Sequence, residues 1–118
     1  MKTNYRYVKK TNRLAKTTAV QSVLKAGRGF FNQEFNLRFQ RKDQGETRIT
    51  VVISTKVDKR AVKRNRLKRI IREFVRQNLN VLALGDYVIM LKPSAVKISE
   101  DRLMENIETA FKKWKLLK

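Results

Sequence analysis

Ten lysines and arginines crowd the twenty-one residues from Lys56 to Arg76, against two acids, Asp58 and Glu73. Lys56, Arg60, Lys63, Arg64, Arg66, Lys68, Arg69, Arg72 and Arg76, with the amide of Asn65 among them, are the side chains whose type and spacing could do chemistry. That chemistry is anion recognition. A guanidinium fork meets two phosphate oxygens at once, an ammonium acts as a point charge, and an amide can read a base edge or position a neighbouring arginine. A run of charge on a helix is usually only a solvated face. Here acids are too scarce to neutralise the arc through i, i+4 pairs, and arginine outnumbers lysine in the second half, which favours planar phosphate contacts.

The same segment carries Leu67, Ile70, Ile71, Phe74, Val75, Leu79 and Leu82 at i, i+3, i+4, i+7 spacing, the stripe of a docked helix. At about 100° per residue, Arg66, Lys68, Arg69, Arg72 and Arg76 fan out over the opposite arc. One flank is anchored in a core and the other presents fixed cations to a polyanion, of which a folded polyphosphate is the best fit.

Composition bounds the alternatives. At 118 residues with 42% hydrophobic content, residues 1–118 are expected to form a single domain with a core. The formal net charge of +19 opposes compaction, so a bound anion should stabilise the fold. With no Cys and no His, there is no disulfide, no zinc site of the Cys/His kind, no thiol nucleophile and no imidazole base. The ten carboxylates show no nucleophile–base–orienter set, so no catalytic residue is assigned. No apolar run reaches the roughly 18 residues that a membrane span needs, and the polar, basic N-terminus does not read as a signal peptide. No membrane partner and a cytoplasmic location are expected.

The elements that must hold the cations follow from pattern. Residues 1–11 read as a flexible basic arm, with Tyr5 and Tyr7 in it. Thr17 or Thr18 caps a short helix carrying Val20, Val23 and Leu24, with Gly27 as its left-handed stop. Phe30-Phe31 begins a short edge strand, and because neighbours alternate, one of the two rings faces outward. Residues 34–41 alternate as a half-buried strand. The turn at residues 43–46 predicts a hairpin into a strand over 48–54, whose β-branched run predicts a central position. The basic helix opens near Asp58 and runs to about Asn80. Residues 86–92 form an apolar strand stopped by Pro93, and Ser99 caps a last helix with Leu103, Ile107, Ala110, Phe111 and Trp114 as its stripe. The fold class is α+β: a two-layer sandwich of three helices on a small mixed sheet of three or four strands, order α-β-β-α-β-α with an extra short strand near Phe30.

These residues together resemble a family, the protein subunit of bacterial ribonuclease P. Its helix signature, Arg-Asn-Arg then Lys-Arg, apolar pairs and Arg-Glu-x-Phe-Arg, is met by Arg64-Asn65-Arg66-Leu67-Lys68-Arg69-Ile70-Ile71-Arg72-Glu73-Phe74-Val75-Arg76. Ser54-Thr55-Lys56-Val57, Ala61-Val62, Asn12-Arg13-Leu14, Gly27 and the strand from Asp86 resemble its flanking positions. The resemblance runs from about residue 12 to 115. It implies a left-handed strand–helix–strand crossover, which general packing rules would not give. It implies a subunit that assists a catalytic RNA in removing the 5′ leader of precursor tRNA, with ribonuclease P RNA and the leader as partners. Mg²⁺ is implied in the holoenzyme, held mainly by RNA and not tightly by the protein. It implies a leader cleft between the first helix and the sheet, lined here by Arg13, Lys16, Val20, Leu24 and Arg38. Val20 and Leu24 stand where the family often has Phe, and Arg38 where it often has Tyr; Asp58-Lys59-Arg60 replaces a common Gly-Asn opening. Aliphatic walls stack bases less well than rings, whereas an arginine plane can stack and pair with phosphate. The competing reading is a ribosomal-type RNA-binding or assembly protein. A groove-reading DNA dimer is disfavoured, because the apolar stripe fills the whole helix and leaves no dimer seam.

Overall fold

A computed structural model describes residues 12–117, so the arm at 1–11, Tyr5 and Tyr7 included, lies outside the described residues. The elements are α1 (Thr17–Ala26), β1 (Arg28–Phe31), β2 (Phe35–Arg41), β3 (Arg48–Val52), α2 (Ala61–Gln77), β4 (Gly85–Leu91), a 3₁₀ turn (Pro93–Lys97) and α3 (Glu100–Lys113). This is the expected α+β sandwich with its short extra strand. The four strands lie in the order β1-β2-β4-β3; β2 is antiparallel to β1 and β4, and β3 is parallel to β4.

Alternation decides the layers. Phe35, Leu37 and Phe39 of β2, Ile49 and Val51 of β3, and Tyr87, Ile89 and Leu91 of β4 point to one face, where the stripes of α2 and α3 cover them. Phe111 of α3 sits among rings there, at 5.3 Å from Phe74, 5.9 Å from Tyr87 and 6.3 Å from Trp114, so aromatic packing ties the helices to β4. Val88 points to the other face and is covered by Leu14 and Val23 from the α1 region. The sheet-and-helix sandwich is thus the body of the fold, and α1 adds a partial layer on the far side. Phe30 faces inward and stacks on Trp114 at 5.0 Å, while Phe31 is 64% exposed.

The hairpin expectation fails. β2 and β3 do not pair; β4 lies between them, so β4 is central and β3 is an edge strand. Charge gives a physical reason. Direct pairing would bring Lys42, after β2, beside Arg48, which opens β3. Asp86 of β4 separates them and takes both, accepting from Arg48 Nη2 at 2.7 Å and lying 3.1 Å from Lys42 Nζ. Burial raises the Asp86 pKa, but the bonds from Arg48 and Lys42 outweigh it and the net shift is downward. The edge of β3 is partly sealed, because Leu14 N–H donates to Ile49 O at 2.9 Å.

Local ends differ from expectation in three places. The N-cap of α1 is Lys16, with no side-chain cap from Thr17 or Thr18. Gly27 is extended (φ −72°) rather than left-handed; a Cβ there would collide with Val23 O in the last turn of α1 itself and crowd the backbone of Phe39, so the way the chain leaves α1 toward the sheet is what requires glycine. The basic helix starts at Ala61 and ends at Gln77, short of Asn80. Ser99 caps α3 as expected, its Oγ accepting from Arg102 N–H at 3.1 Å.

Candidate nucleic-acid interface

The basic helix is held as its apolar stripe requires. Leu67, Ile71, Phe74 and Val75 are buried, and Ile70 is partly buried against the same core. Its cations divide into groups with different partners. At the N-terminal end, Arg60 donates from Nε and Nη2 to the Asp58 carboxylate at 3.0 and 2.8 Å, and from its backbone N–H at 2.9 Å. The guanidinium bond is the main reason the Asp58 carboxyl is held down at about 2. Arg64 donates to the carbonyls of Asp58 and Lys59, both at 2.9 Å, so it ties the preceding loop to the helix. On the flank facing α3, Arg66 binds Glu100 in a two-pronged pair and Lys63 Nζ lies 3.9 Å from the same carboxylate. At the C-terminal end, Arg76 donates to Glu73 at 2.7 Å.

Asn65, Arg69, Arg72 and the Glu73-bound Arg76 form a strip, recurring at spacings of four, three and four on the side away from the core. Among the described residues, Lys68, Arg69 and Arg72 form no ion pair with an acid. Arg72 is half-buried; desolvation first, and the Arg13 guanidinium second, push its pKa below the usual arginine range. The charge of Arg13, far away in sequence, is thus felt at α2. Arg13 sits where the chain bridges to Ile49 before entering α1, so the strip on α2 leads toward the α1 side of the molecule. Lys56 is exposed in the turn after β3, apart from this strip.

The second set of expected residues is spread along α1 and the far face of the sheet. Val23, not Val20 or Leu24, is the buried anchor of α1. Val20 packs partly against Val88, Leu24 stays 39% exposed, and Lys16 is exposed at the helix start. Arg38 Nη1 donates to Gly27 O at 3.2 Å, which holds its guanidinium below the end of α1. Beside it runs a row that the sequence reading did not assign: Phe31, Asn36, Met90 and Val52, register neighbours across all four strands. Phe31 and Val52, 64% and 44% exposed, end the row, and Asn36 Oδ1 is buried without a hydrogen-bond partner among the described residues. The alternation of β2 could have marked Asn36; the rest needed the strand order.

Chemically, the two regions can bind phosphates and contact bases. Among the described residues no group of three or more acids, histidines or cysteines could hold a metal, and no helix is long and apolar enough to cross a membrane.

A family profile described as Ribonuclease P matches residues 8–115. Proteins called ribonuclease P protein component are similar over nearly the whole length: one from an Exiguobacterium species is 33% identical over 92% of this chain and 95% of its own, and one from Bacillus velezensis is 33% identical over 94% and 96%. The solved RNase P protein of Staphylococcus aureus superposes with a TM-score of 0.85 at 23% identity, covering 92% of this chain and all of the other. That of Thermotoga maritima gives 0.75 at 24%, covering 86% and 96%.

Proposed function

The chain belongs to the ribonuclease P protein component family, and from that premise we propose that it binds the ribozyme RNA through the outer strip of α2 and the single-stranded 5′ leader of precursor tRNA across the α1 face of the sheet. The catalytic centre for leader removal lies in the RNA, and the protein supplies positioning and charge. The observation that carries this reading is the outer arc of α2, where Lys68, Arg69 and Arg72 form no ion pair with an acid among the described residues while the opposite flank of the helix is buried. On the leader side, Arg38 offers a plane for stacking or phosphate pairing, the exposed ring of Phe31 offers a stacking surface, and the unpartnered Asn36 oxygen offers an acceptor.

Mg²⁺ in the holoenzyme would be held by RNA phosphates. The exposed strip of α2 presents cations and one amide, and the acids beside the helix, Asp58, Glu73 and Glu100, are occupied by arginines. The donor set does not fit a hard cation. A cytoplasmic location accords with this role.

The test is cleavage of precursor tRNA by ribonuclease P RNA at low Mg²⁺. Adding the protein should raise the rate, and the gain should grow with leader length. Arg38→Ala should erase the leader-length dependence and spare part of the gain. A protein that binds RNA but leaves cleavage unchanged for every leader would instead be a ribosomal-type binding protein. Engaging about six phosphates would give a log–log salt slope near −5.

A further inference from the structure

A second concave surface lies away from α2, where the outer strand β1, the end of β2 and the end of α3 meet. It is a groove of about 780 Å³. Arg28, Arg41, Lys113 and Lys115 converge on it from three elements, with Phe30 and Trp114 in its wall, and no acid lines it. None of the four cations forms an ion pair among the described residues. Two of them are held in place from beneath: the Arg28 guanidinium lies 4.9 Å over the ring of Phe30, and that of Arg41 lies 5.7 Å over the ring of Phe39.

Lys115 adds an independent sign. It closes α3 in a left-handed cap, its N–H donating to Lys112 O at 3.1 Å and the N–H of Leu116 to Phe111 O at 2.9 Å. Glycine is the usual residue at that position, yet a lysine occupies it at φ +62°, the one positive-φ non-glycine among the described residues. The backbone bears that strain and the ammonium is brought to the groove. Cations in the last turn of a helix ordinarily complement its dipole, which would account for Lys113. The dipole is worth about half a charge, it is reached by one turn only, and it does not explain Arg28 and Arg41 arriving from strands.

We propose that this groove is a second RNA site, which takes the phosphodiester backbone of an RNA strand other than the one on α2. The chain then clamps two RNA segments from opposite ends of the sheet: α2 packs beside β3, while the groove opens at β1, the other edge. The proposal rests on the RNA-binding reading above but not on the α2 strip being the contact. The phosphates could belong to the ribozyme RNA or to precursor tRNA.

Lys115→Gly separates a binding role from a structural one, since glycine is at ease at φ +62° and the cation is lost. The full-length chain should keep or raise its Tm, while its Kd for ribonuclease P RNA rises several-fold and the log–log salt slope falls by about 0.7–0.9, one phosphate's worth. Arg41→Gln with Lys113→Gln should lower the slope by about twice that amount. Each is measured beside Arg69→Gln on α2, with RNA alone and with RNA carrying precursor tRNA. A loss seen with RNA alone assigns the strand to the ribozyme; a loss seen only with precursor tRNA assigns it to the substrate. Unchanged Kd and slope for both groove variants in both arms overturns the proposal, and a simultaneous loss in Arg69→Gln shows that the α2 reading survives without it. Groove variants that weaken binding while Arg69→Gln does not would leave the groove standing and overturn α2.

Discussion

Helices α2 and α3 lie side by side on one sheet, and each buries four residues of an apolar stripe. Their ends are built on opposite rules. α3 opens with Ser99 as a bonded cap, has Glu100 and Asp101 in its first turn, and closes with Lys112 and Lys113. Every one of those charges favours the helix dipole. α2 opens at Arg60 with no side-chain cap and no acid in its first turn, and it places Lys63 and Arg64 at the end where cations are disfavoured. Its opening is held from outside, by the Asp58 loop and by Glu100 of α3. One helix is arranged for its own stability, and the other draws on its neighbours so that it can carry a cationic face.

The largest test of that division sets core against face on the same helix. Ile71, fully buried in α2, should cost about 2–5 kcal/mol when cut to alanine, read as a lower urea midpoint. Arg69→Ala should change stability by less than about 0.5 kcal/mol and weaken RNA binding. If both substitutions unfolded the chain to a similar degree, the two flanks of α2 would not be separable.

A smaller effect separates the two caps. Ser99→Ala should destabilise the protein by about 1 kcal/mol, through loss of the bond to Arg102 N–H, and leave RNA affinity unchanged. A loss of RNA affinity larger than the loss of stability would mean that α3 takes part in binding through its N-terminus.

The stripes of both helices and the Ser99 cap were legible because they are local: a 3.6-residue period and a serine before two acids lie within one window of sequence. The order of the sheet was not. The turn at residues 43–46 marks a reversal, and nothing nearby says that β4, arriving after a helix of 17 residues, will part the two strands around it. The clue was Asp86, a lone acid facing Lys42 and Arg48, and it becomes readable only once those three residues are neighbours. The candidate site divides in the same way. The strip on α2 came from its period; Arg60, Lys63, Arg64 and Arg66 are drawn off by partners that spacing could not show, and Arg76 by Glu73 three residues before it. The row of Phe31, Asn36, Met90 and Val52 spans four strands and has no footprint in any single one.

The comparison sharpens further if α2 is made to resemble α3. Val62 is 82% exposed in the first turn of α2. Val62→Glu supplies the acid that α3 already has, so stability should rise by about 0.3–1 kcal/mol at low salt. RNA affinity should fall, because a negative charge now stands beside Asn65 and Arg69. A variant that gained stability and kept its affinity would move the RNA contact away from this end of the helix.

The smallest effect concerns acid. Asp58 is held at about 2, chiefly by the Arg60 guanidinium, and the Asp86 carboxyl is also lowered on balance, by Arg48 and Lys42 against its burial. A carboxyl lowered in the folded state lends stability that is present above its unfolded value, near 4, and is lost as pH falls through the folded one. Stability should therefore decline between about pH 4 and pH 2. Asp58→Asn keeps an oxygen for the Arg60 N–H but removes the titration, so its urea midpoint should vary less over that window, although it starts lower at neutral pH. An unaltered acid limb in this variant would place the loss elsewhere, at the Asp86 seam, and the loop before α2 would then owe its order to the Arg64 bonds to the Asp58 and Lys59 carbonyls rather than to the Asp58 charge.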